Sequence, residues 1–160
     1  MPHEHPKDVG DKTTLAVMLA LRMAGLRVLV PFGENTRYDL VIEDGERLAR
    51  VQCKTGRLRS GAIRFNTCST YGHHLRPRNA RRGYHGEIDY FAIFCPDTEK
   101  VYLVPIDELD VRTGAALRVE PSRNGQSRYI RFARDYEVGR VTIRLTAAPG
   151  ANPGARGSCA

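Results

Sequence analysis

The chain has 160 residues, a formal net charge of +7 and four cysteines without a CxxC spacing. This length suits one domain with a core of its own, so neither a structural metal nor disulfides are required for folding, and we expect reduced thiols. No apolar run reaches the roughly 20 residues that cross a bilayer, and the N-terminus is polar, so we expect a cytoplasmic protein without a membrane partner.

The first elements in chain order are predicted as a helix followed by a strand. Asp11 or Thr13 is a suitable N-cap, and leucines and methionines follow with helical spacing until Gly25. Residues 27–31 form a short apolar run that ends at a proline, which is typical of a buried strand. Two further strands follow, so the predicted order is helix, strand, strand, strand.

The second and third strands form a predicted hairpin across residues 37–54. Asp44-Gly45 is a strong two-residue turn signal, and this turn places Asp39 diagonally from Gln52. Because side chains two apart share a face of a strand, Asp39, Gln52 and Lys54 lie on one face. The opposite face carries an apolar set that suits packing against a helix: Tyr38, Leu40, Ile42, Ala49, Val51 and Cys53.

The remaining chain contains fewer clear signals. Further strands are predicted at residues 61–65, 90–94, 101–104, 116–119 and 141–145, with one helical turn at 106–109. Residues 66–86 lack periodicity and are predicted to form a long irregular loop. Residues 147–160 are rich in Ala, Pro and Gly and are predicted as a disordered tail, which leaves residues 8–146 as one domain.

Positive charge is concentrated in residues 54–86, which contain eight cations and no acid. Arginine forks match the geometry of phosphate oxygens, so this segment predicts a polyanionic partner, with DNA as the leading candidate. The arginines assigned to DNA binding are Arg57, Arg59, Arg64, Arg76, Arg78, Arg81 and Arg82. The alternatives are a solvated basic loop and a surface that contacts an acidic protein.

The polar hairpin face carries groups that phosphodiester hydrolysis requires, namely oxygen ligands for a divalent metal and positive charge at the phosphate. Asp39 supplies a hard carboxylate ligand, and the backbone carbonyl of Cys53 adds another oxygen. Lys54 is a cation that orients water or neutralises phosphate charge. Gln52 offers only a neutral oxygen, so we expect weak binding of Mg²⁺ unless substrate phosphates complete the coordination.

Asp39 also has a structural interpretation, as a surface acid paired with Arg50 or Arg37. Gln52 and Lys54, taken separately, are ordinary residues for the solvent face of a strand. The three residues together, next to a segment of eight cations, favour the functional interpretation.

The pattern of Asp39 on one strand and Gln52-x-Lys54 on the next resembles the PD-(D/E)XK nuclease superfamily. Longer blocks of residues 10–137 resemble its group I intron-associated homing endonuclease branch. These blocks read VPFGENTRYDLVI from residue 30, VQCKTGRL from 51, GEIDYF from 86, YLVPI from 102 and EPSRNGQ from 120.

The resemblance implies an α/β fold of the restriction-endonuclease-like kind, with a mixed β-sheet core that starts αβββ and is flanked by helices. It also implies DNA cleavage that depends on Mg²⁺, with Mn²⁺ as a substitute, by a homodimer or homotetramer. By position, Asp39 is a metal ligand, Gln52 occupies the usual second acidic position, and Lys54 is the catalytic lysine. Family members commonly have a glutamate in the first helix, where this chain has Thr14, with Asp11 three residues earlier.

The expected function is therefore a metal-dependent DNA endonuclease of the homing type. One alternative is a structure-specific nuclease that cuts Holliday-type junctions. Another is a catalytically weakened DNA-binding protein of the same fold, which predicts salt-dependent binding without cleavage. The third alternative is an interaction protein whose basic loop contacts an acidic protein partner.

Overall fold

The computed structural model describes residues 4–33, 35–71, 80–109, 113–121, 125, 129–140 and 145. The predicted order of a helix followed by three strands is confirmed. The elements are α1 (Pro6–Met23), β1 (Arg27–Leu29), β2 (Leu40–Glu43), β3 (Leu48–Thr55), β4 (Arg57–Arg59), β5 (Ala62–Asn66), β6 (Ser69–Tyr71), β7 (Ala80–Arg82), β8 (Tyr90–Cys95), β9 (Lys100–Pro105) and β10 (Gly114–Arg118), with 3₁₀ turns at Ile106–Glu108 and Ala133–Asp135. The strand predicted at 141–145, apart from residue 145, and the tail lie outside the described residues.

The strands form three sheets. The central sheet has five strands in the order β1-β2-β3-β8-β9. Its β3 and β8 run parallel and its other neighbours run antiparallel, so the sheet is mixed as predicted. A three-stranded sheet has the order β10-β5-β4, and β6 pairs with β7 in a separate ribbon.

One face of the central sheet packs against α1. Val17 and Leu21 are fully buried in α1 and belong to the same core cluster as Leu40, Ile42 and Val51 of the hairpin. This arrangement follows from the helical spacing of the first pair and the two-residue period of the strands. The predicted apolar hairpin face is therefore confirmed, with the exception of Tyr38.

The opposite face of the central sheet packs against the three-stranded sheet. Phe91 and Ile93 of β8 share a second core cluster with Ile63 and Phe65 of β5. Tyr38 packs against this second cluster, because it precedes the start of β2 and does not follow the alternation of that strand. Among the described residues, the second flanking layer is thus a sheet rather than the helix that the resemblance implies.

The hairpin register differs from the predicted one by two residues. The predicted two-residue turn is a four-residue loop in the structure, since Glu43 pairs with Leu48. The Asp44 carboxylate accepts hydrogen bonds from the backbone N–H groups of Glu46 and Arg47, each at 3.0 Å, and so stabilises the longer loop. A shift of two residues leaves every side chain on its predicted face.

Gly56 connects the central sheet to the three-stranded sheet, because β3 ends one residue before it and β4 begins one residue after it. A Cβ atom at this position would lie 2.6 Å from Cγ2 of Ile63 and 2.8 Å from Cγ2 of Ile93. Glycine therefore suits this position, because any side chain would collide with residues of the second core cluster where the chain passes it.

We expect Gly56→Ala to lower the free energy of unfolding by about 1–3 kcal/mol, because the core must shift to admit the methyl group. Urea unfolding of the variant and of Gly10→Ala checks this expectation. Gly10 lies in α1 with nothing within 4 Å of an added Cβ, so its substitution should stabilise the helix by about 0.5–1 kcal/mol. Equal urea midpoints for Gly56→Ala and the wild type would contradict the packing described.

The predicted loop at residues 66–86 contains regular structure. Within it, the structure describes the β6–β7 ribbon, whose strands are each three residues long. The strand β4 was also missed, since its three residues are all exposed and show no alternation. Among the described residues, no helix is long and apolar enough to span a membrane.

Candidate active site

Asp39 and Gln52 lie opposite each other on the face of the central sheet that points away from α1. Gln52 Nε2 donates to Asp39 Oδ2 at 2.6 Å, and the backbone N–H of Cys53 donates to the same oxygen at 2.8 Å. The backbone N–H of Asp39 donates to the Val51 carbonyl at 2.9 Å, which extends the hairpin ladder by one rung. These bonds hold the carboxylate just before the start of β2.

Burial raises the pKa of the Asp39 carboxyl, which is the largest influence on it. The Cys53 backbone N–H and the charge of Lys54 act in the opposite direction and favour the ionised form. A carboxylate held partly out of water beside a cation is a common arrangement at catalytic sites. The same arrangement also occurs in structural ion-pair networks. The contacts of Lys54 therefore distinguish a catalytic arrangement from a structural one.

Lys54 extends from β3 onto the ring of Tyr84. Its Nζ donates to the Tyr84 hydroxyl at 3.2 Å and lies 4.8 Å from the ring centroid. Tyr84 is buried, and its ring contacts Phe91 edge-on with centroids 5.5 Å apart. The ammonium group of Lys54 is therefore oriented by a tyrosine that the core itself fixes.

A second cation contacts the same tyrosine. The guanidinium of Arg37 lies 4.2 Å from the Tyr84 ring centroid. Arg37 Nε donates to the Glu87 carboxylate at 2.6 Å, Nη2 to the Gly83 carbonyl at 2.7 Å and Nη1 to Ser69 Oγ at 2.9 Å. Arg37 thus ties the segment that carries Tyr84 to the start of the hairpin.

The structural interpretation of Asp39, as the partner of Arg50 or Arg37, is wrong. Arg50 pairs with Asp89, with Nε 3.2 Å from Oδ2, and Arg37 pairs with Glu87. Because of the two-residue shift in register, Arg50 stands opposite Val41 and not opposite Asp39. Asp39 therefore has no arginine partner among the described residues.

The first-helix positions make no hydrogen bond to Asp39, Gln52 or Lys54 within the described residues. Thr14 Oγ1 donates to the Gly10 carbonyl at 3.1 Å, within its own helix. Burial raises the pKa of the Cys53 thiol, as expected for a small core residue rather than a nucleophile. Asp11 is exposed and makes no hydrogen bond or ion pair within the described part of the chain.

The donor set around Asp39 is small. No group of three or more His, Cys, Asp or Glu side chains that could hold a metal ion occurs in the described segments. Asp39, the Gln52 amide and the Cys53 carbonyl are hard oxygen donors, and no hydrogen bond to Asp39 Oδ1 is present among those residues. The residues therefore fit partial coordination of a divalent ion such as Mg²⁺ or Mn²⁺, with oxygens of the substrate supplying the rest.

The arginines assigned to DNA binding fall into three groups. Arg57, Arg59 and Arg64 are exposed on the three-stranded sheet. Arg82 forms an ion pair with Glu87 and is therefore partly neutralised. Arg81 lies in β7, and Arg76 and Arg78 lie outside the described residues.

We expect metal binding to weaken as the pH falls through the raised pKa of Asp39, because a proton then competes with the ion for the carboxylate. Calorimetric titration with Mn²⁺ from pH 7 to about pH 4, close to the ordinary value for an aspartate, measures this. Asp44→Asn is the control, since the backbone N–H groups of Glu46, Leu145 and Arg47 lower the pKa of Asp44, and its substitution should not change the pH dependence. An affinity for Mn²⁺ that is constant over this range would contradict the assignment of Asp39.

Comparisons with known proteins identify the family of the chain. A family model described as PD-(D/E)XK endonuclease matches residues 4–139. A solved structure, that of the bacterial homing endonuclease I-Ssp6803I, is similar with a TM-score of 0.66 and 26% sequence identity, covering 84% of this chain and 89% of that one. A search of curated proteins finds no match. Because the family model covers most of the sequence, the chain belongs to the PD-(D/E)XK endonuclease family.

Proposed function

We propose that the protein is a metal-dependent DNA endonuclease of the homing type, with Asp39, Gln52 and Lys54 at its active site. The observation that carries the proposal is the grouping of a partly buried carboxylate, an amide and a lysine on one sheet face, in a chain of an endonuclease family. The similarity to I-Ssp6803I supports the homing type. The exposed arginines beside the site supply positive charge for a DNA backbone.

The residues of the chain divide the work of hydrolysis. Asp39, the Gln52 amide and the Cys53 carbonyl would hold a divalent ion on the sheet face. Such an ion supplies a nucleophilic water and neutralises charge on the phosphate. Lys54, held by the Tyr84 hydroxyl at 3.2 Å, places a fixed positive charge beside Asp39 for the negative charge that develops in the transition state.

We infer that Mg²⁺ is the natural ion and that Mn²⁺ substitutes for it. Both ions prefer the hard oxygen donors that Asp39, Gln52 and Cys53 provide. Because Asp39 supplies the single carboxylate assigned to the site, binding of the free ion should be weak and should strengthen when DNA phosphate is present.

The protein is further proposed to act as a homodimer or homotetramer, since cutting two strands is simplest with two sites. Leu15, Leu19 and Met23 lie along one exposed face of α1, with 66%, 66% and 82% of their surfaces accessible. A second copy of the chain is a suitable partner for this apolar stripe. Sedimentation equilibrium measures the mass, and a monomer at all concentrations would contradict the assembly.

The cytoplasmic location also stays a prediction, which the free thiols of Cys53, Cys68 and Cys95 support.

Cleavage assays on two DNA substrates test the proposal. Supercoiled plasmid and a four-way junction are each incubated with Mg²⁺, with Mn²⁺ or with EDTA, over a range of salt concentrations. The proposal predicts cutting of plasmid DNA that requires a metal. Cutting of the junction alone would favour the structure-specific alternative, whereas salt-dependent binding without cutting would leave a weakened DNA-binding protein. Failure to bind either DNA at physiological salt would favour an acidic protein partner.

A further inference from the structure

The outer face of the three-stranded sheet carries three arginines, Arg57, Arg59 and Arg64, which we call the sheet-face arginines. Arg57 of β4 stands directly opposite Arg64 of β5 in the antiparallel register. The buried side chains of Ile63 and Phe65 point to the other side of β5, into the second core cluster. The three arginines therefore project together, away from the core.

The sheet-face arginines differ from the other arginines of the chain. None of the three side chains makes a hydrogen bond or an ion pair within the described residues. Every other arginine whose side chain is described donates a hydrogen bond or holds an ion pair. Structural arginines are thus neutralised or anchored, while these three remain available to a ligand.

The space above these arginines is a groove of about 580 Å³. Its described lining includes the sheet-face arginines, Asn66 and Arg131, and no acid. The neighbouring strand β10 presents Gly114 opposite Asn66 and Ala116 opposite Arg64, with Arg118 opposite Ala62 at the end of the strand. Because Gly114 and Ala116 are small, the guanidinium groups of the sheet-face arginines and the Asn66 amide stay accessible to a broad ligand.

The dimensions of this face match the major groove of DNA. Strands lie about 4.8 Å apart, so three strands span roughly 10 Å, and the major groove is about 12 Å wide. Arg57 and Arg64 lie side by side, and Asn66 lies two residues along β5 on the same face, at spacings of about 5–7 Å. Such spacings suit base pairs that rise by about 3.4 Å each.

We propose that the outer face of β10-β5-β4 reads base edges in the major groove, with Arg57 and Arg64 recognising guanine and Asn66 recognising adenine. An arginine fork donates two hydrogen bonds to guanine, and an asparagine amide pairs in the same bidentate manner with adenine. Arg131, whose guanidinium donates to the Glu108 carbonyl, is anchored at the rim and suits phosphate contact. This inference rests on the proposed function, since it takes DNA as the substrate.

The reading face lies close to the cutting site. Lys54 and Arg57 are three positions apart on nearly continuous strand, which corresponds to about 10 Å. Bases contacted by the sheet-face arginines should therefore lie within a few base pairs of the bond that is cut. The short β3–Gly56–β4 connection then sets the distance between the bases that are contacted and the bond that is cut.

Binding selection from a pool of random duplexes, in EDTA so that no DNA is cut, tests the reading face. The wild type should enrich guanine at fixed positions. Arg64→Lys keeps the charge but loses the fork, so discrimination at one position should fall about tenfold while retention of random DNA changes less than about threefold. Arg57→Lys should relax a different position, and Arg140→Lys, on an arginine that pairs with Glu137, should change nothing.

Two results would overturn the reading face. One is a wild type that enriches no base, and the other is a lysine variant that binds all sequences less tightly with unchanged preferences, which marks a phosphate contact. Neither result bears on catalysis, since a wild type that cuts plasmid with a metal but selects no base refutes the reading face alone. Guanine selection without cutting by any metal would instead refute the proposed nuclease and support the reading face.

Discussion

Replacing Lys54 by alanine should lower the single-turnover rate of DNA cleavage by at least about 100-fold, because a preorganised cation at the developing phosphate charge is lost. The structure fixes this cation through the Tyr84 hydroxyl at 3.2 Å and through the ring at 4.8 Å. DNA binding should be largely retained, since the sheet-face arginines are unchanged and one phosphate contact among several is a small part of the affinity. Rates with saturating enzyme, and filter binding of the same DNA, measure the two effects separately.

Lys100→Ala is the matched control for this substitution. Lys100 lies on β9 and pairs with Glu137 at 2.9 Å, so its removal takes away the same charge at a place remote from Asp39. Its cleavage rate should stay close to that of the wild type. If both lysine variants lost activity in parallel with DNA binding, Lys54 would act as a general DNA-binding charge and not in catalysis.

Replacing Gln52 by glutamate should tighten metal binding and weaken the protein without metal. A second carboxylate would face the Asp39 oxygen that now accepts from the amide at 2.6 Å, so two like charges would replace a hydrogen bond. Without metal, the free energy of unfolding above the carboxyl pKa values should fall by about 1–3 kcal/mol. The Mg²⁺ concentration for half-maximal cleavage should fall by about tenfold, because charge count sets the affinity of oxygen sites.

Thermal unfolding in EDTA and in Mg²⁺, together with cleavage over a range of Mg²⁺ concentrations, checks both parts of this expectation. Gln52→Ala is the control, since it removes the amide without adding a charge and should not tighten metal binding. A Gln52→Glu protein that responds to Mg²⁺ like the wild type would show that position 52 lies outside the metal site.

Much of the site was predictable because local rules decide it. The alternation of polar and apolar residues sets which hairpin side chains share a face, and this depends only on the two-residue period of a strand. The register error at Asp44 therefore left Asp39, Gln52 and Lys54 together, since a shift of two residues preserves faces. The helix α1 was predictable from its spacing and from Gly25 just beyond its end, but its start was wrong, because the helix begins at Pro6 with His5 as N-cap and not at Asp11 or Thr13.

The other parts of the candidate site depend on contacts between residues that are far apart in the sequence. No rule of residue spacing predicts such contacts. Tyr84 follows Lys54 by thirty residues and reaches it only because the chain returns across the second core cluster. The pairing of Arg57 with Arg64 requires β4, a strand whose residues are all exposed and which shows no alternation. The anchoring of Arg37 on Tyr84 and Glu87 likewise joins segments that the sequence separates.

The most direct test of the account is the cleavage rate of Asp39→Asn relative to the wild type, with Mg²⁺ and with Mn²⁺, on plasmid DNA that both proteins bind. Asparagine keeps the shape of the side chain and an oxygen that accepts from the Cys53 N–H, while it removes the charge that would hold the metal at the proposed site. We predict a loss of at least about 100-fold with both ions and unchanged DNA binding. Cleavage by Asp39→Asn at the wild-type rate would contradict a metal site at the start of β2.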